Sequence, residues 1–204
     1  MNANNDLRRD HPRLYRAPDV PVRLTVPPLR FVMVDGSGDP STSPGYADAV
    51  SMLYAVSYGV RGLVKQSGGT PWTVLPLEGL WWADDMSAFI AGSRGDWLWT
   101  MMIAQPEVVT VDLIERAVSA AVAKGRAAAA DRLRFEAFDE GDVVQVMHHG
   151  PYADEGPTIA ALHAFVADHG WERVGKHHEV YLNDPRRVAP AAMRTILRQP
   201  VAAA

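Results

Sequence analysis

A short stretch occurs twice in the chain, first as Thr100-Met101-Met102-Ile103-Ala104-Gln105-Pro106 and again as Thr195-Ile196-Leu197-Arg198-Gln199-Pro200. Each copy is an apolar run closed by Gln-Pro, a pattern typical of a strand that ends at a turn. Chance similarity of two apolar strands is the alternative. The elements around each copy also recur in the same order, which favours an internal duplication.

Hydrophobic periodicity gives each half of the chain the order strand, helix, strand, strand. The first half has these elements at residues 29–34, 46–58, 70–82 and 97–105. The second half has strand segments at 134–138 and 143–148, a helix at 156–169, and strands at 179–182 and 193–197. An alanine-rich helix at 110–130 connects the two halves. We therefore expect an α+β fold of two βαββ units, about 29–109 and 131–201, around a pseudo-twofold ligand cleft.

Composition narrows the classes of function. The 204-residue chain has a formal net charge of -4 and no cysteine. A dedicated nucleic-acid binder normally carries a basic surface, so direct nucleic-acid binding is not expected. The lack of thiols excludes disulfides, thiolate metal sites and cysteine nucleophiles. The absence of cysteine is also compatible with a reducing compartment, so we expect a cytoplasmic protein. We expect no cofactor.

The first 28 residues differ from the rest of the chain. They begin with a polar, arginine-rich segment, and four prolines fall within residues 18–28. Proline disfavours a helix, so we expect an extended leader at 1–28 and a domain at 29–204. The leader lacks the apolar run of a signal peptide, and no other stretch approaches the roughly 20 apolar residues of a membrane span. We expect a monomer, because one chain supplies both halves of the cleft.

A tryptophan-rich region contains the first candidate site. Alternation along the strand at 77–82 puts Glu78 and Trp82 on one face and Trp81 on the other. Trp97 and Trp99 follow in the next predicted strand. Indole rings close to a carboxylate favour a stacking surface for a flat ligand. Burial of the tryptophans in the core is the alternative.

The strand near residue 180 contains the second candidate site. Glu179, Tyr181 and Asn183 share one face of this strand. In an apolar cleft such a carboxylate would bind a cation or a hydroxyl donor, or act as a general base on water. A solvated glutamate on an edge strand is the alternative.

A third candidate, Tyr152, follows a Gly-Pro pair at the end of a strand. Its phenol could donate a hydrogen bond into the cleft or, alternatively, only cap the core. The adjacent histidines at 148–149 and 177–178 point to opposite faces of their strands and cannot easily share one ion. We therefore expect no metal site.

Several motifs together resemble those of the stand-alone GyrI-like small-molecule-binding proteins, over residues 29–201. The motifs are Met33-Val34-Asp35-Gly36-Ser37-Gly38-Asp39-Pro40, Pro76-Leu77-Glu78-Gly79-Leu80-Trp81-Trp82, Trp99-Thr100-Met101-Met102-Ile103, His149-Gly150-Pro151-Tyr152 and Glu179-Val180-Tyr181-Leu182-Asn183-Asp184. The resemblance implies a GyrI-like/SOUL-type fold, in which a buried glutamate and aromatic rings receive lipophilic, often cationic drugs. No helix-turn-helix pattern precedes the match, so we expect a stand-alone binder or enzyme rather than a regulator.

The resemblance also implies an activity, because some members of the family hydrolyse the cyclopropane of DNA-alkylating antibiotics of the yatakemycin and CC-1065 type. On this hypothesis Glu179 activates water, and Tyr152 or Tyr181 donates to the carbonyl oxygen. Trp82 and Trp99 sandwich the ring system, Glu78 shares the role of base, and Trp81, Met101 and Asn183 line the site. The alternatives are a protein that binds or sequesters drugs without turnover, the effector domain of a regulator, and a haem-binding relative, for which no axial ligand is evident.

Overall fold

The structure is a computed structural model that describes residues 6–83 and 94–203. The strands are β1 (Val22–Val26), β2 (Leu29–Ser37), β3 (Leu77–Trp82), β4 (Leu98–Gln105), β5 (Leu133–Phe138), β6 (Gly141–His149), β7 (Trp171–Arg173), β8 (His177–Tyr181) and β9 (Arg194–Ala203). The helices are α1 (Leu7–Asp10), α2 (Pro44–Gln66), α3 (Val111–Ala123) and α4 (Gly156–Asp168). The mixed helix and strand content confirms the α+β class. The helix predicted at 110–130 ends at Ala123, and the strand predicted at 70–82 begins at Leu77.

The strands form one antiparallel sheet in the order β1-β6-β9-β8-β3-β4-β2-β5, and β7 pairs with the end of β9. From the centre of the sheet outwards, the strand order is β3-β4-β2-β5 on one side and β8-β9-β6-β1 on the other. The two halves therefore meet where β3 pairs with β8. In that pair Gly79 lies opposite Glu179, and Leu77 lies opposite Tyr181. The order confirms the duplicated architecture, and it shows that the halves share one continuous sheet.

The two long helices of the repeats cover the same face of this sheet. From α2, Ser57 accepts a hydrogen bond from Gln105 of β4 at 2.9 Å. Leu162 and Val166 of α4 belong to one apolar cluster with Leu197 of β9, which pairs with Glu179. Directly paired residues of an antiparallel sheet point to the same face. Glu179 therefore lies on the face of the sheet that α2 and α4 cover. We call the region between these two helices, above Glu179, the cleft.

Helix α2 is longer than the predicted segment and packs between the sheet and α3. Its buried residues recur every three or four positions, as in an amphipathic helix, and are Ala49, Met52, Leu53, Val56, Ser57, Val60 and Val64. On its other side Gly59 faces α3, where an added Cβ would lie 3.1 Å from Cβ of Ala117. The absence of a side chain at Gly59 therefore allows the two helices to approach closely.

Ordered structure begins well before residue 29, in contrast to the predicted extended leader. Leu7, Leu14 and Tyr15 are buried, and β1 pairs with β6 along the edge of the sheet. Arg198 donates a hydrogen bond to the carbonyl of Leu14. No helix forms within residues 18–28, as the prolines there predicted. An edge strand tolerates proline at its ends, so the same prolines did not exclude β1. Among the described residues, no helix is long and apolar enough to cross a membrane.

Candidate functional site

The floor of the cleft is built by the central strand pair. Trp81 Nε1 donates a hydrogen bond to the hydroxyl of Tyr181 across this pair, at 2.9 Å. Both groups lean over Gly79, where an added Cβ would lie 2.8 Å from Trp81 Nε1 and 3.0 Å from the Tyr181 hydroxyl oxygen. A glycine is required there, because any larger residue would push the indole and the phenol away. The side chain of Glu179 is 12% exposed beside them, with Oε1 3.5 Å from His177 Nε2.

A second carboxyl group, from Glu155, completes the floor of the cleft. Glu155 directly precedes α4 and is only 5% exposed. Its burial and the negative charge of Glu179 raise the pKa of Glu155 to about 9. Its Oε1 is also buried without a hydrogen-bond partner among the described residues. Burial and the neighbouring charge therefore favour the protonated form of Glu155, next to a second carboxyl group.

Glu155 was not among the site residues predicted from the sequence. The available signal was its place three residues after Tyr152 and directly before the Gly-Pro start of a helix. Nothing in that local pattern indicates that the start of α4 lies against β8.

Three phenols surround the carboxyl pair. Burial and the negative charge of Glu179 raise the pKa values of Tyr46, Tyr152 and Tyr181 above the ordinary range. All three therefore remain neutral hydrogen-bond donors over the physiological range. The ring of Tyr152 meets that of Tyr181 edge-on, with centroids 5.5 Å apart. Tyr152 is 39% exposed, so it forms the outer cover of the cleft.

The tryptophans contribute unequally to the site. Trp81 stacks on Tyr46 with ring centroids 6.2 Å apart and meets Trp97 edge-on at 5.6 Å. It is the indole that reaches the hydroxyl of Tyr181. Trp99 and Met101 point to the same face but are fully buried, and a Cβ on Gly36 would lie 2.1 Å from the Trp99 ring. Trp99 and Met101 therefore support the site from the core beneath it.

Two of the predicted site residues lie on the opposite face of the sheet. Trp82 pairs with Leu98 while Trp81 pairs with Trp99, so alternation puts Trp82 and Trp99 on different faces. They cannot sandwich one ring system. Trp82 instead lies under the ammonium group of Lys176, 3.2 Å from its centroid. Glu78 pairs with Val180 and not with Glu179, so the two glutamates do not share a site.

Glu78 belongs to a buried ionic network behind the cleft. His178 lies between two carboxylates, with Nε2 3.0 Å from Glu78 and Nδ1 2.8 Å from Glu140. Burial disfavours the imidazolium, but Glu140 and Glu78 outweigh burial and raise the pKa of His178 to about 9. Arg198 adds a second cation 3.6 Å from Glu140, and Tyr15 donates to Glu78 at 3.4 Å. This network holds β3, β8 and β9 together on the face of the sheet opposite Glu179.

Asn183, the last of the predicted site residues, stabilises the loop between β8 and β9. Its amide donates to the carbonyl of Ala192 at 3.0 Å and accepts from the backbone N–H of Arg194 at 3.1 Å. These bonds tie the connection between β8 and β9, and both ends of the Asn183 side chain are occupied. Within residues 6–83 and 94–203, no three His, Asp or Glu side chains gather as metal ligands would.

Comparisons with known proteins agree with this architecture. The family described as "GyrI-like small molecule binding domain" matches residues 21–201 of this chain. An uncharacterized conserved protein from Listeria innocua is 37% identical, with a TM-score of 0.90 over 98% of this chain and 100% of its own. A protein described as a hydrolase from Listeria innocua is 36% identical, with a TM-score of 0.84 over 98% of this chain and 100% of its own.

A more distant structure shares the fold alone. The EcmrR C-terminal domain is 12% identical, with a TM-score of 0.58 over 90% of this chain and 98% of its own. No protein with a curated description matches the chain significantly. The family match extends over most of the chain, and the duplicated sheet and the cleft between its helices fit that match. The chain therefore belongs to the family of GyrI-like small-molecule-binding domains.

Proposed function

We propose that this protein binds a flat, lipophilic molecule in the cleft and hydrolyses an activated cyclopropane in it. The observation that carries the proposal is the Glu155–Glu179 pair, in which burial and the charge of Glu179 favour the protonated form of Glu155 beside a second carboxyl group. General acid–base catalysis needs two such groups with different affinities for a proton. The description of a related Listeria innocua protein as a hydrolase also supports it.

The walls of the cleft suit a flat aromatic ligand. Trp81 and Tyr46 present stacked rings, and Tyr152 and Tyr181 present a second pair. Aromatic walls bind flat rings well, and neutral phenols can donate to a ligand oxygen. The ligand's reactive carbon would lie near Glu179, since this carboxylate is the part of the pair that remains partly exposed.

The proposed reaction adds one water to a cyclopropane that is conjugated to a dienone. The water oxygen bonds to the unhindered cyclopropane carbon while the bond between that carbon and the ring carbon breaks. The electron pair of the broken bond enters the dienone, which becomes a phenolate. Glu179 takes the proton from water, and Glu155 protonates the phenolate. Proton transfer from Glu179 to Glu155 then restores the enzyme.

The remaining residues have supporting roles in this scheme. Tyr152 or Tyr181 donates a hydrogen bond to the dienone oxygen as negative charge develops there. Glu78 acts only through β8, because it faces the other side of the sheet. One chain completes the cleft, which fits a monomer acting in the cytoplasm to destroy a genotoxin before it reaches DNA.

The decisive experiment incubates the protein with a cyclopropane-bearing duocarmycin-type compound and follows its mass. We expect a product heavier by one water and many turnovers per protein. Glu179→Gln should abolish turnover while the ligand still binds, and Glu155→Gln should reduce it strongly. Glu115→Gln is the matched control, since Glu115 is exposed on α3. Saturable binding without turnover would instead establish a drug-binding protein that uses the same cleft.

A further inference from the structure

The connection between β5 and β6 shows that the sheet is curled. These strands are six places apart in the strand order, a distance of about 29 Å in a flat sheet at about 4.8 Å per strand. Only Asp139 and Glu140 connect them, and two residues bridge at most about 11 Å between strand ends. The sheet must therefore curl until its two ends approach each other. Because Glu140 reaches His178 of the central strand β8, the face that bears His178 is the inner one.

A cavity of about 360 Å³ lies on this inner face. Leu80 and Thr100 line the cavity and pair with each other, and Leu80 also pairs with His178. Directly paired residues point to the same face of a sheet, so the cavity and the cleft are on opposite faces. A cavity of this volume can hold a small organic molecule. We call it the inner cavity, and its apolar lining is Met33, Leu80, Phe138, Val174 and Pro200.

Glu140 brings an unsatisfied acceptor to the inner cavity. Its side chain lines the cavity and is only 1% exposed. Oε1 lies 2.8 Å from Nδ1 of His178, whereas Oε2 has no hydrogen-bond partner among the described residues and lies 3.6 Å from Arg198. Burial acts to raise the pKa of Glu140, but His178 and Arg198 outweigh burial and lower it. A buried carboxylate oxygen without a donor is costly, so a donor group that enters the cavity would stabilise the protein.

Charges of both signs line the rest of the inner cavity. The ammonium group of Lys176 lies 3.2 Å from the ring centroid of Trp82, and Arg134 forms an ion pair with Glu136 at 3.0 Å. Asp139 also lines the cavity. An organic cation would meet Lys176 and Arg134, and an organic anion would meet Glu136 and Asp139. Either ion would lose its hydration without a net attraction, which favours an uncharged ligand.

We propose that the inner cavity is a second binding site, for a small uncharged molecule with an apolar ring body and one O–H or N–H donor. The donor reaches Oε2 of Glu140, and the ring body packs against Leu80, Phe138 and Pro200. The sheet separates this site from the cleft. The inference therefore goes beyond the proposed function and does not depend on it.

The test uses four naphthalene derivatives that differ in one substituent. A naphthol carries an uncharged donor, its methyl ether lacks the donor, a naphthoate is an anion, and a naphthylmethylammonium ion is a cation. NMR titration follows the backbone N–H of Gly175 in the inner cavity and that of Tyr152 at the cleft. At Gly175 we expect the naphthol to bind about tenfold more tightly than each of the others, the factor that a hydrogen bond to an ionised oxygen contributes.

Two variants assign the binding to the inner cavity. Val174→Trp should abolish the shifts at Gly175 and keep those at Tyr152, because the indole would fill the mouth of the cavity. Val122→Trp is the matched control, since Val122 lies on α3 and both valines are 40% exposed. Glu140→Gln should reduce the preference for the naphthol over its ether severalfold, because the acceptor loses its charge. The comparison of ligands in the parent protein remains decisive if Glu140→Gln does not fold.

The outcomes separate the inner cavity from the cleft. Equal affinities of the naphthol and its ether at Gly175, or tighter binding of either ion, would overturn the inference. Shifts at Gly175 that persist in Val174→Trp would also contradict it. Shifts at Tyr152 alone would show that the ligands bind only in the cleft, and the inner cavity would then not be a binding site. Failure of the hydrolase proposal would leave the result at Gly175 unchanged.

Discussion

Replacing Glu155 with glutamine should stabilise the folded protein at neutral pH. The pKa of Glu155 rises from 4.5 to about 9 on folding, because of burial first and Glu179 second. The folded protein therefore holds a proton that the unfolded chain releases above pH 4.5. Stability must then fall as the pH rises from 4.5 towards 9. Glutamine has nearly the same shape and no proton to lose, so it avoids this penalty.

The size of the effect follows from the pH interval. Each pH unit above the unfolded pKa costs about 1.36 kcal/mol while the folded group stays protonated. Between pH 4.5 and pH 7 the penalty grows to about 3 kcal/mol, counted from the unfolded value of 4.5. This figure depends little on the folded pKa, since any value above about 8 leaves Glu155 protonated at pH 7. We expect Glu155→Gln to gain about 2 to 3 kcal/mol at that pH.

The assay is urea unfolding followed by tryptophan fluorescence, at several pH values from 4.5 to 8.5. The informative quantity is the difference in unfolding free energy between Glu155→Gln and the parent, because titrating groups far from Glu155 contribute equally to both. His178, for example, also makes stability fall between pH 6.5 and about 9, since folding raises its pKa. The difference should be near zero at pH 4.5 and increase with pH, whereas Glu115→Gln should show no such trend. A difference that is constant across this range would refute the assignment of a buried proton to Glu155.

Three further predictions concern the site and its support. If Glu155 is the general acid, kcat/KM should fall above about pH 9 as its proton is lost; a rate that climbs steadily to pH 10 would contradict this role. Gly79→Ala should weaken ligand binding about tenfold, since its Cβ would lie 2.8 Å from Trp81 Nε1 and displace a hydrogen bond of about 1 kcal/mol together with the stacked ring. Gly62→Ala is the control, because nothing lies within 4 Å of the added Cβ, and similar ligand affinities in the two variants would speak against the proposed floor of the cleft. Arg198→Met should lower the unfolding free energy by about 3 kcal/mol or more, because it leaves Glu140 buried with one cation fewer; a loss below about 1 kcal/mol in urea unfolding would show that the network is not needed for stability.

Local sequence patterns predicted much of the fold. The repeated Gln-Pro strands and the recurring element order gave the duplicated architecture, since both depend on neighbours along the chain. Alternation within single strands also placed Glu78 and Trp82 on one face and Trp81 on the other, as the structure has them. The N-terminal segment escaped prediction, because its burial depends on Arg198 and Gln145, which donate to its carbonyl groups from distant strands.

The sequence by itself determined the class of fold, the order of its elements and the presence of a carboxylate among aromatic rings. Only the tertiary structure decided which carboxylates meet. The pairing of β3 with β8 separates Glu78 from Glu179, and the docking of α4 brings Glu155 to Glu179 instead. The physical reason is that side-chain alternation is a local property of one strand, whereas strand register, helix docking and the resulting pKa values depend on contacts between residues far apart in the chain.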